Sequence, residues 1–574
     1  MYIANYNRRT EAVFFLFFLF LIFCGIRLIF IQSFRSQYLY SIAKKQQNQL
    51  LELEPRRGVI YDANLKPLAV NISIDSVYAC PQDLKEPDKE QIVISLAPIL
   101  KIDPSFIRER LSRNKSFVWL ARKIAPQQSQ DIAKLNLKGI GFIKESKRCY
   151  PNKYLASHIL GFAGLDNIGL EGLEMSFDKY LKGQFGWAQV LRDARQKKLN
   201  LYEDILLPRD GYDLVLTIDE VIQYIAEREL DKVVTTHHAQ AASIIVMDPI
   251  TGRILAMASR PNFDLNEYNN VKNDVRRNRS ICDLFEPGSV FKIVTAAAAL
   301  EEKKSSEEDK FFCENGAYRV GNHVLHDHRP HGLLTFKEVI EQSSNIGTTK
   351  IAQRLGPDLL YRYIKLFGFG SKLEVDLPGE INGMIKEPRF WSKTSIGAIP
   401  IGHEVGVTAL QLASAISVIA NNGQLMRPYV VSEIRDKEGE VITKFSPHML
   451  RRVISVDTAQ RVKKILTQVI ENGTGKMARM KNFSAAGKTG TAQKLDNSGA
   501  YSHDKYIASF IGFAPAEAPA VAIVVIVDEP HPAYFGGVVS APVFKSVAND
   551  VLKYMKINSM LREVAFSNDL EPSD

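Results

Sequence analysis

The stretch EPGSVFK, residues 286–292, sets Pro287 and Gly288 directly before Ser289 and places Lys292 three residues later. The proline–glycine pair breaks the preceding segment and starts a helix at the serine. Residues i and i+3 share one face of a helix, so the Lys292 amine can reach the Ser289 hydroxyl. A serine hydroxyl is a weak nucleophile and needs an adjacent base. A lysine serves as that base only where burial or neighbouring positive charge lowers its pKa. The first turn of a helix carries partial positive charge, which favours a neutral lysine and a developing oxyanion alike. The competing reading is a plain helix start with no chemistry on it.

The tetrad alone does not decide between them. The same S-x-x-K spacing recurs in SIAK (41–44), SRNK (112–115), SFDK (176–179) and SHDK (502–505). Two motifs further along the chain single out Ser289. The helical stretch after TFKEVIEQ delivers Ser343, Ser344 and Asn345, 54 residues on from Ser289 to Ser343. A further 145 residues on, AAGKTGTAQ (485–493) sets Lys488, Thr489, Gly490 and Thr491 just before a strand, and K-T-G occurs once in the chain.

Composition frames these motifs. The chain has 574 residues, 45% apolar and 24% charged, which is ordinary for a folded protein. At ~150 residues per domain, three or four units are expected. Net charge is +9, but Lys and Arg are scattered and no nucleic-acid motif accompanies them, so nucleic-acid binding is not expected. Cys24, Cys80, Cys149, Cys282 and Cys313 form no CxxC pair, which argues against structural zinc. HDHRPHG (326–332) packs three histidines into seven residues. It reads as a loop over the rim of a site, with a metal site as the sharper alternative.

The N-terminus carries AVFFLFFLFLIFCGI (12–26) without a charge, extended by Leu28 to Ile31. That approaches the ~20 residues that cross a bilayer. Arg27 lies where a long side chain can snorkel, and Arg8 and Arg9 before the run favour a cytoplasmic N-terminus. No small-x-small site comes after the run, so an uncleaved anchor is expected. AVAIVVIV (520–527) is too short to span and reads as a buried strand.

After the anchor, residues 37–53 read as a helix or stalk. GFAGLDNIGLEGLE (161–174) lacks the G-x-G-x-x-G order of a dinucleotide site. A second unit opens near residue 211, where DLVLTI reads as a strand and Asp219 as the N-cap of a helix. Residues 243–259 read as a hairpin, and 509–530 as two more strands. Helical segments fall at 292–302, 335–355, 408–422 and 457–472. Separated β and α blocks predict an α+β fold, one antiparallel sheet flanked by helices. The expected divisions are a tail (1–11), an anchor (12–33), a mixed α/β unit (34–205), a catalytic unit (206–556) and a C-terminal tail (557–574).

S-x-x-K, S-x-N and K-T-G in this order are the signature of serine β-lactamases and penicillin-binding proteins. The chain resembles a class B penicillin-binding protein over nearly its whole length. RRGVIYDAN (56–64), RCYPNKYLASHILGFAG (148–164) and GLEGLEMSFDKYLKG (169–183) echo the family's pedestal. LTID (216–219), MDPITGRILAMAS, RNRS (277–280), VTALQLASAISVIANNGQLMRP (407–428), ENGTG (471–475) and YFGGVVSAPVF (534–544) echo its catalytic half. SSN in place of S-x-D, and GIRLIFIQ (25–32), resemble the division-type branch or its sporulation relative. The pedestal motif D-R-N-G is replaced here by Asp62, Ala63, Asn64 and Leu65, which puts local pedestal contacts in doubt.

The resemblance implies a membrane-anchored peptidoglycan D,D-transpeptidase with a β-lactamase-like catalytic domain on an elongated pedestal. It implies Ser289 as nucleophile, Lys292 as base, Ser343 as proton relay, Asn345 as a substrate and lysine orienter, and Lys488 as a positive charge. Thr489 and Thr491 would bind the substrate carboxylate, Gly490 would admit substrate close to the strand, and the N–H groups of Ser289 and Thr491 would form the oxyanion hole. Stem peptides act as donor and amine acceptor, β-lactams acylate the same serine, and no metal or organic cofactor is implied. The implied partners are the cytoplasmic membrane, a polytopic glycan-polymerising enzyme and other division proteins. The rivals are a β-lactamase, a D,D-carboxypeptidase and a catalytically idle membrane-anchored scaffold.

Overall fold

The computed structural model describes residues 2–40, 48–192, 198–495 and 500–568. The run AVAIVVIV is continuously apolar because both of its faces are covered. It forms β5 (Val521–Asp528) at the centre of an antiparallel sheet with β1 (Ala241–Met247), β2 (Ile254–Arg260), β3 (Ala486–Leu495) and β4 (Tyr501–Ala514), in the order β2-β1-β5-β4-β3. The expected hairpin at 243–259 is β1–β2, and the strands expected at 509–530 lie within β4 and β5.

The period-2 alternation of strands divides the sheet residues between two cores. Ile244, Val246, Ile523, Val525 and Phe510 point to one face with Ile222, Ile225 and Leu230 of α1 (Glu220–His237) and with Phe544 and Val547 of the C-terminal helix Gly536–Asn568. Ile245, Met247, Val524, Ile526 and Ile511 point to the other, where α2 (Lys292–Glu301) and α5 (Ala409–Ala420) lie. Each fully buried Val or Ile contributes about 1.5–3 kcal/mol, so a charge anywhere in this run would be strongly destabilising. α2 is buried from Lys292 to Leu300. A helix covered all round has no polar face, which accounts for TAAAAL in its sequence.

The sequence-expected helix at 335–355 is two helices, α3 (Phe336–Glu341) and α4 (Asn345–Leu355), broken at the SSN motif. Ser343 has φ +60, and Ser344 caps α4 by accepting from the Gly347 N–H at 2.9 Å. A left-handed non-glycine residue cannot continue an α-helix. Helix α6 (Val456–Glu471) covers the segment expected at 457–472, and Asp219 caps α1 through bonds from the Val221 and Ile222 N–H groups.

Two compact units divide the chain, Met1–Arg56 with Gly183–Asp210, and Arg57–Lys182 with Gly211–Asp574. The first holds the helix Tyr2–Phe34 and a three-stranded antiparallel sheet of Asn48–Leu53, Gly186–Arg192 and Lys198–Leu206. Residues 48–53 are therefore a strand, where a helix or stalk is expected over 37–53; residues 37–40 are helical, and residues 41–47 lie outside the described residues. NQLLEL has no strong strand preference of its own, and pairing with Gly186–Leu191 decides its state. Within the N-terminal helix, the 25 residues Thr10–Phe34 are long and apolar enough to cross a membrane, at about 37 Å for 1.5 Å per residue.

In the second unit, strand Asp213–Leu216 pairs in parallel with Ile60–Tyr61 and antiparallel with Val431–Arg435, so one sheet carries residues from both halves of the chain. Beneath it, Arg57 and Arg148 both bond the buried Glu174 carboxylate, at 2.5 and 2.6 Å, and Arg57 also bonds Asp178 at 2.6 Å. Asp62 accepts from the Asn64 and Lys66 N–H groups, while Leu65 sits at φ +62, the region that favours glycine.

Candidate active site

Ser289 lies in a 3-10 turn, Gly288–Phe291, that leads directly into α2. Gly288 has φ +60, and a Cβ there would approach the Thr491 carbonyl oxygen at 3.0 Å. The turn is thus pressed against strand β3. Gly490 of that strand shows the same contact from the other side: a Cβ would meet Ser509 Oγ at 2.3 Å, Val290 Cγ1 at 2.9 Å and the Pro287 carbonyl oxygen at 3.0 Å. The close approach that Gly490 admits is that of the serine turn itself. K-T-G lies inside β3, where the sequence placed it just before a strand.

The three motifs converge on one hydroxyl. Ser343 Oγ lies 3.2 Å from Lys292 Nζ and 2.8 Å from Lys488 Nζ. Lys292 Nζ also donates to the Ser343 carbonyl oxygen at 2.6 Å and to Asn345 Oδ1 at 2.7 Å. Lys488 Nζ also donates to the Thr489 carbonyl at 3.3 Å. Both lysines are fully buried. The hydrogen bonds of Lys292 run to the SSN turn; its backbone N–H, and not its amine, bonds Ser289, through the serine carbonyl oxygen.

Electrostatics follow from this burial. Taking an ammonium out of water disfavours its charged form. Burial pushes Lys292 down to about 7, against an opposing pull from the Asp327 carboxylate. Burial, and then the charge of Lys292, hold Lys488 well below the usual lysine range. Two cations this close share the cost of both being charged, so the pair readily releases one proton. A neutral Lys292 keeps two N–H donors for the Ser343 carbonyl and Asn345 Oδ1 and frees a lone pair to accept a proton.

The remaining candidate residues lie along β3. Thr489 Oγ1 is 2.8 Å from Thr474 Oγ1 of the ENGTG segment, and Thr491 Oγ1 accepts from the Gly536 N–H at 3.0 Å. Ser289 and Thr491 are both half-buried, whereas the two lysines are fully buried.

One residue of the site was not singled out by the motifs. Asp327, the second residue of HDHRPHG, accepts from Ser344 Oγ at 2.6 Å and from the Ile346 N–H at 3.0 Å, and also from the Asn345 N–H. The His326 carbonyl accepts from Asn345 Nδ2 at 2.9 Å, and the His328 ring packs 4.9 Å from that of Phe535. The signal available in sequence was an acid in a short loop ahead of a helix pair, which drew notice only for its histidines.

Comparison with known proteins gives the family. The penicillin binding protein transpeptidase domain matches residues 242–549, and the penicillin-binding protein dimerisation domain matches residues 52–216. The chain belongs to the class B penicillin-binding proteins. It is similar to stage V sporulation protein D of Bacillus subtilis, with 36% identity over 98% of this chain and 88% of that one. It is similar to the peptidoglycan D,D-transpeptidase FtsI of Escherichia coli, with 32% identity over 88% of this chain and 85% of the relative. Among solved structures, penicillin binding protein 3 of Mycobacterium tuberculosis complexed with aztreonam superposes with a TM-score of 0.69 at 27% identity, covering 88% of this chain and 98% of that one.

Proposed function

We propose that this protein is a serine-type peptidoglycan D,D-transpeptidase of septal wall synthesis and a covalent target of β-lactams. The observation that carries the mechanism is Ser343 Oγ held between two buried lysines, one of which, Lys292, directly follows the Ser289 turn. Ser289 Oγ attacks the carbonyl between the two terminal D-alanines while neutral Lys292 takes its proton. The oxyanion that forms is met by the N–H groups of Ser289 and Thr491, each such donor being worth about 3 kcal/mol in comparable sites. The C–N bond then breaks. The departing D-Ala amine receives the proton of Lys292 through Ser343, leaving an ester on Ser289. An acceptor amine from a neighbouring stem peptide attacks that ester, loses its proton along the same path and restores Ser289 as the crosslink forms.

Asn345, bonded to Lys292, orients the base and the substrate amide. Thr489 and Thr491 bind the terminal carboxylate, whose negative charge favours a proton on Lys488. Gly490 lets the serine turn seat against β3 and so fixes where Ser289 meets the peptide. The chemistry as derived runs on these side chains without a cofactor. The anchor (12–33) crosses the cytoplasmic membrane with the N-terminus inside, residues 34–205 serve as pedestal and 206–556 as catalytic domain. A polytopic glycosyltransferase and other division proteins are the proposed partners, through the anchor and pedestal.

The test is turnover of a synthetic stem pentapeptide with and without an amine acceptor, followed by mass spectrometry. The expected result is release of D-Ala with a crosslinked product. Release of D-Ala with only the hydrolysed tetrapeptide would make the enzyme a carboxypeptidase instead.

A further inference from the structure

The SSN turn is an unfavourable structure held in place from outside. Ser343 occupies the left-handed region at φ +60, which is unfavourable for a non-glycine residue. Nothing in the turn's own sequence compels that conformation. The groups that hold it come from Asp327, whose carboxylate receives the N–H groups of Asn345 and Ile346 and the Ser344 hydroxyl. Asp327 is itself pinned by its own N–H to the Gly316 carbonyl at 3.1 Å, beside the antiparallel pair Ala317–Val320 and His323–His326. With Ser344 accepting from Gly347, these bonds cap the first turn of α4 from a segment nearly twenty residues upstream.

We propose that Asp327 is a positioning residue for acyl transfer, fixing the Ser343–Asn345 turn and thereby the place of the Lys292 amine beside Ser289. The link is direct, since among the described residues every hydrogen bond of Lys292 Nζ ends on Ser343 or Asn345. A turn that relaxes toward continuous helix would carry both acceptors away from the amine. The carboxylate has a second, separable effect. The titratable groups around Lys292 are Lys488 from β3, Asp327, and Cys313 behind Ser344; of these, Asp327 supplies the negative charge that opposes deprotonation of Lys292. Its charge and its geometry therefore act on different observables.

This inference rests on the acyl-serine reading of the site, and the experiment separates the two. The full chain in detergent is reacted with a fluorescent penicillin across pH, as native protein, Asp327→Asn and Asp327→Ala, with the thermal unfolding of each recorded. Labelling of the native chain tests the acyl-serine reading; the ratios between variant and native test Asp327. Asn is nearly isosteric and can accept the same backbone N–H groups, so Asp327→Asn keeps most of the turn and loses the charge. Its acylation rate is expected to stay within about tenfold of native, with the acid limb moved about 0.5–1 unit to lower pH. Asp327→Ala is expected to acylate about 100-fold more slowly, as befits a misplacement of the base by about 1 Å. A purely structural role would leave the acid limb of the Asn variant where it is. Both variants folded, with the native limb and native rates, would overturn the proposal.

Discussion

Two clusters of buried charge in the same unit behave in opposite ways. Around Glu174, every charge has its counterpart: Arg57 and Arg148 bond its carboxylate at 2.5 and 2.6 Å, Asp178 bonds Arg57 at 2.6 Å, and Tyr150 adds its hydroxyl at 3.2 Å. Burial pushes the Glu174 carboxyl up, but Arg148 and Arg57 outweigh it and hold the group below its ordinary value. Around Ser343, two fully buried lysines face carbonyl, amide and hydroxyl oxygens, and the nearest acid is bonded elsewhere. The first cluster keeps its charges and the second sheds a proton. Matched buried charges build structure, whereas mismatched ones leave a group poised to exchange a proton near neutral pH.

The sharpest way to break this comparison is to remove the mismatched charge. Lys292→Met is expected to lower β-lactam acylation by about 10³- to 10⁴-fold, at the upper end of what a general base supplies. The same substitution is expected to leave thermal stability unchanged or raised, because a buried cation is replaced by an apolar chain of similar length. A variant that unfolds would place Lys292 with the structural cluster. Glu174→Gln is the converse. It leaves two buried guanidiniums short of a counter-charge and is expected to cost about 3–5 kcal/mol in denaturant unfolding, while the surviving folded protein acylates normally.

The two clusters also predict opposite pH dependence. The Glu174 carboxyl has a depressed folded-state pKa, so its contribution is present above the unfolded value of about 4.3 and is lost as pH falls through the folded value. Lys292 is depressed to about 7, so between that pH and about 10.4 the unfolded chain binds the extra proton and stability rises with pH. The stability advantage of Lys292→Met is therefore greatest at low pH and shrinks as pH rises above about 7. Acylation by the native chain is expected to climb through the same pH near 7 and then level. The smallest effect is expected of Gly490→Ala. A Cβ there would push on Val290 and Pro287 and lower acylation about 10- to 100-fold by displacing the serine turn.

The elements that could be read from sequence are those whose instructions are local. EPGSVFK carries its own helix start, GKTG has its glycine in a strand, and AVAIVVIV states its two-sided burial in every residue. The break at Ser343 was not legible in the same way, because TFKEVIEQSSNIGTTKIAQRL keeps a helical period across it and the capping acid comes from the loop before. Strand Asn48–Leu53 was missed for a related reason: its partner lies beyond residue 185, and the local sequence fits a helix equally well. Ser289, Lys292 and Lys488 stand out by their motifs, whereas Asp327, which bonds the turn between them, is visible only once the loop and helix are brought together.

The measurement that tests the account most directly is the intact mass of the full chain after exposure to a penicillin, beside Ser289→Ala. A single covalent adduct of one drug mass on the native chain, absent from the Ser289→Ala variant, is the predicted result. An adduct of equal yield on both, or none on the native chain while the drug stays intact, would contradict the assignment of Ser289 as a nucleophile activated by Lys292.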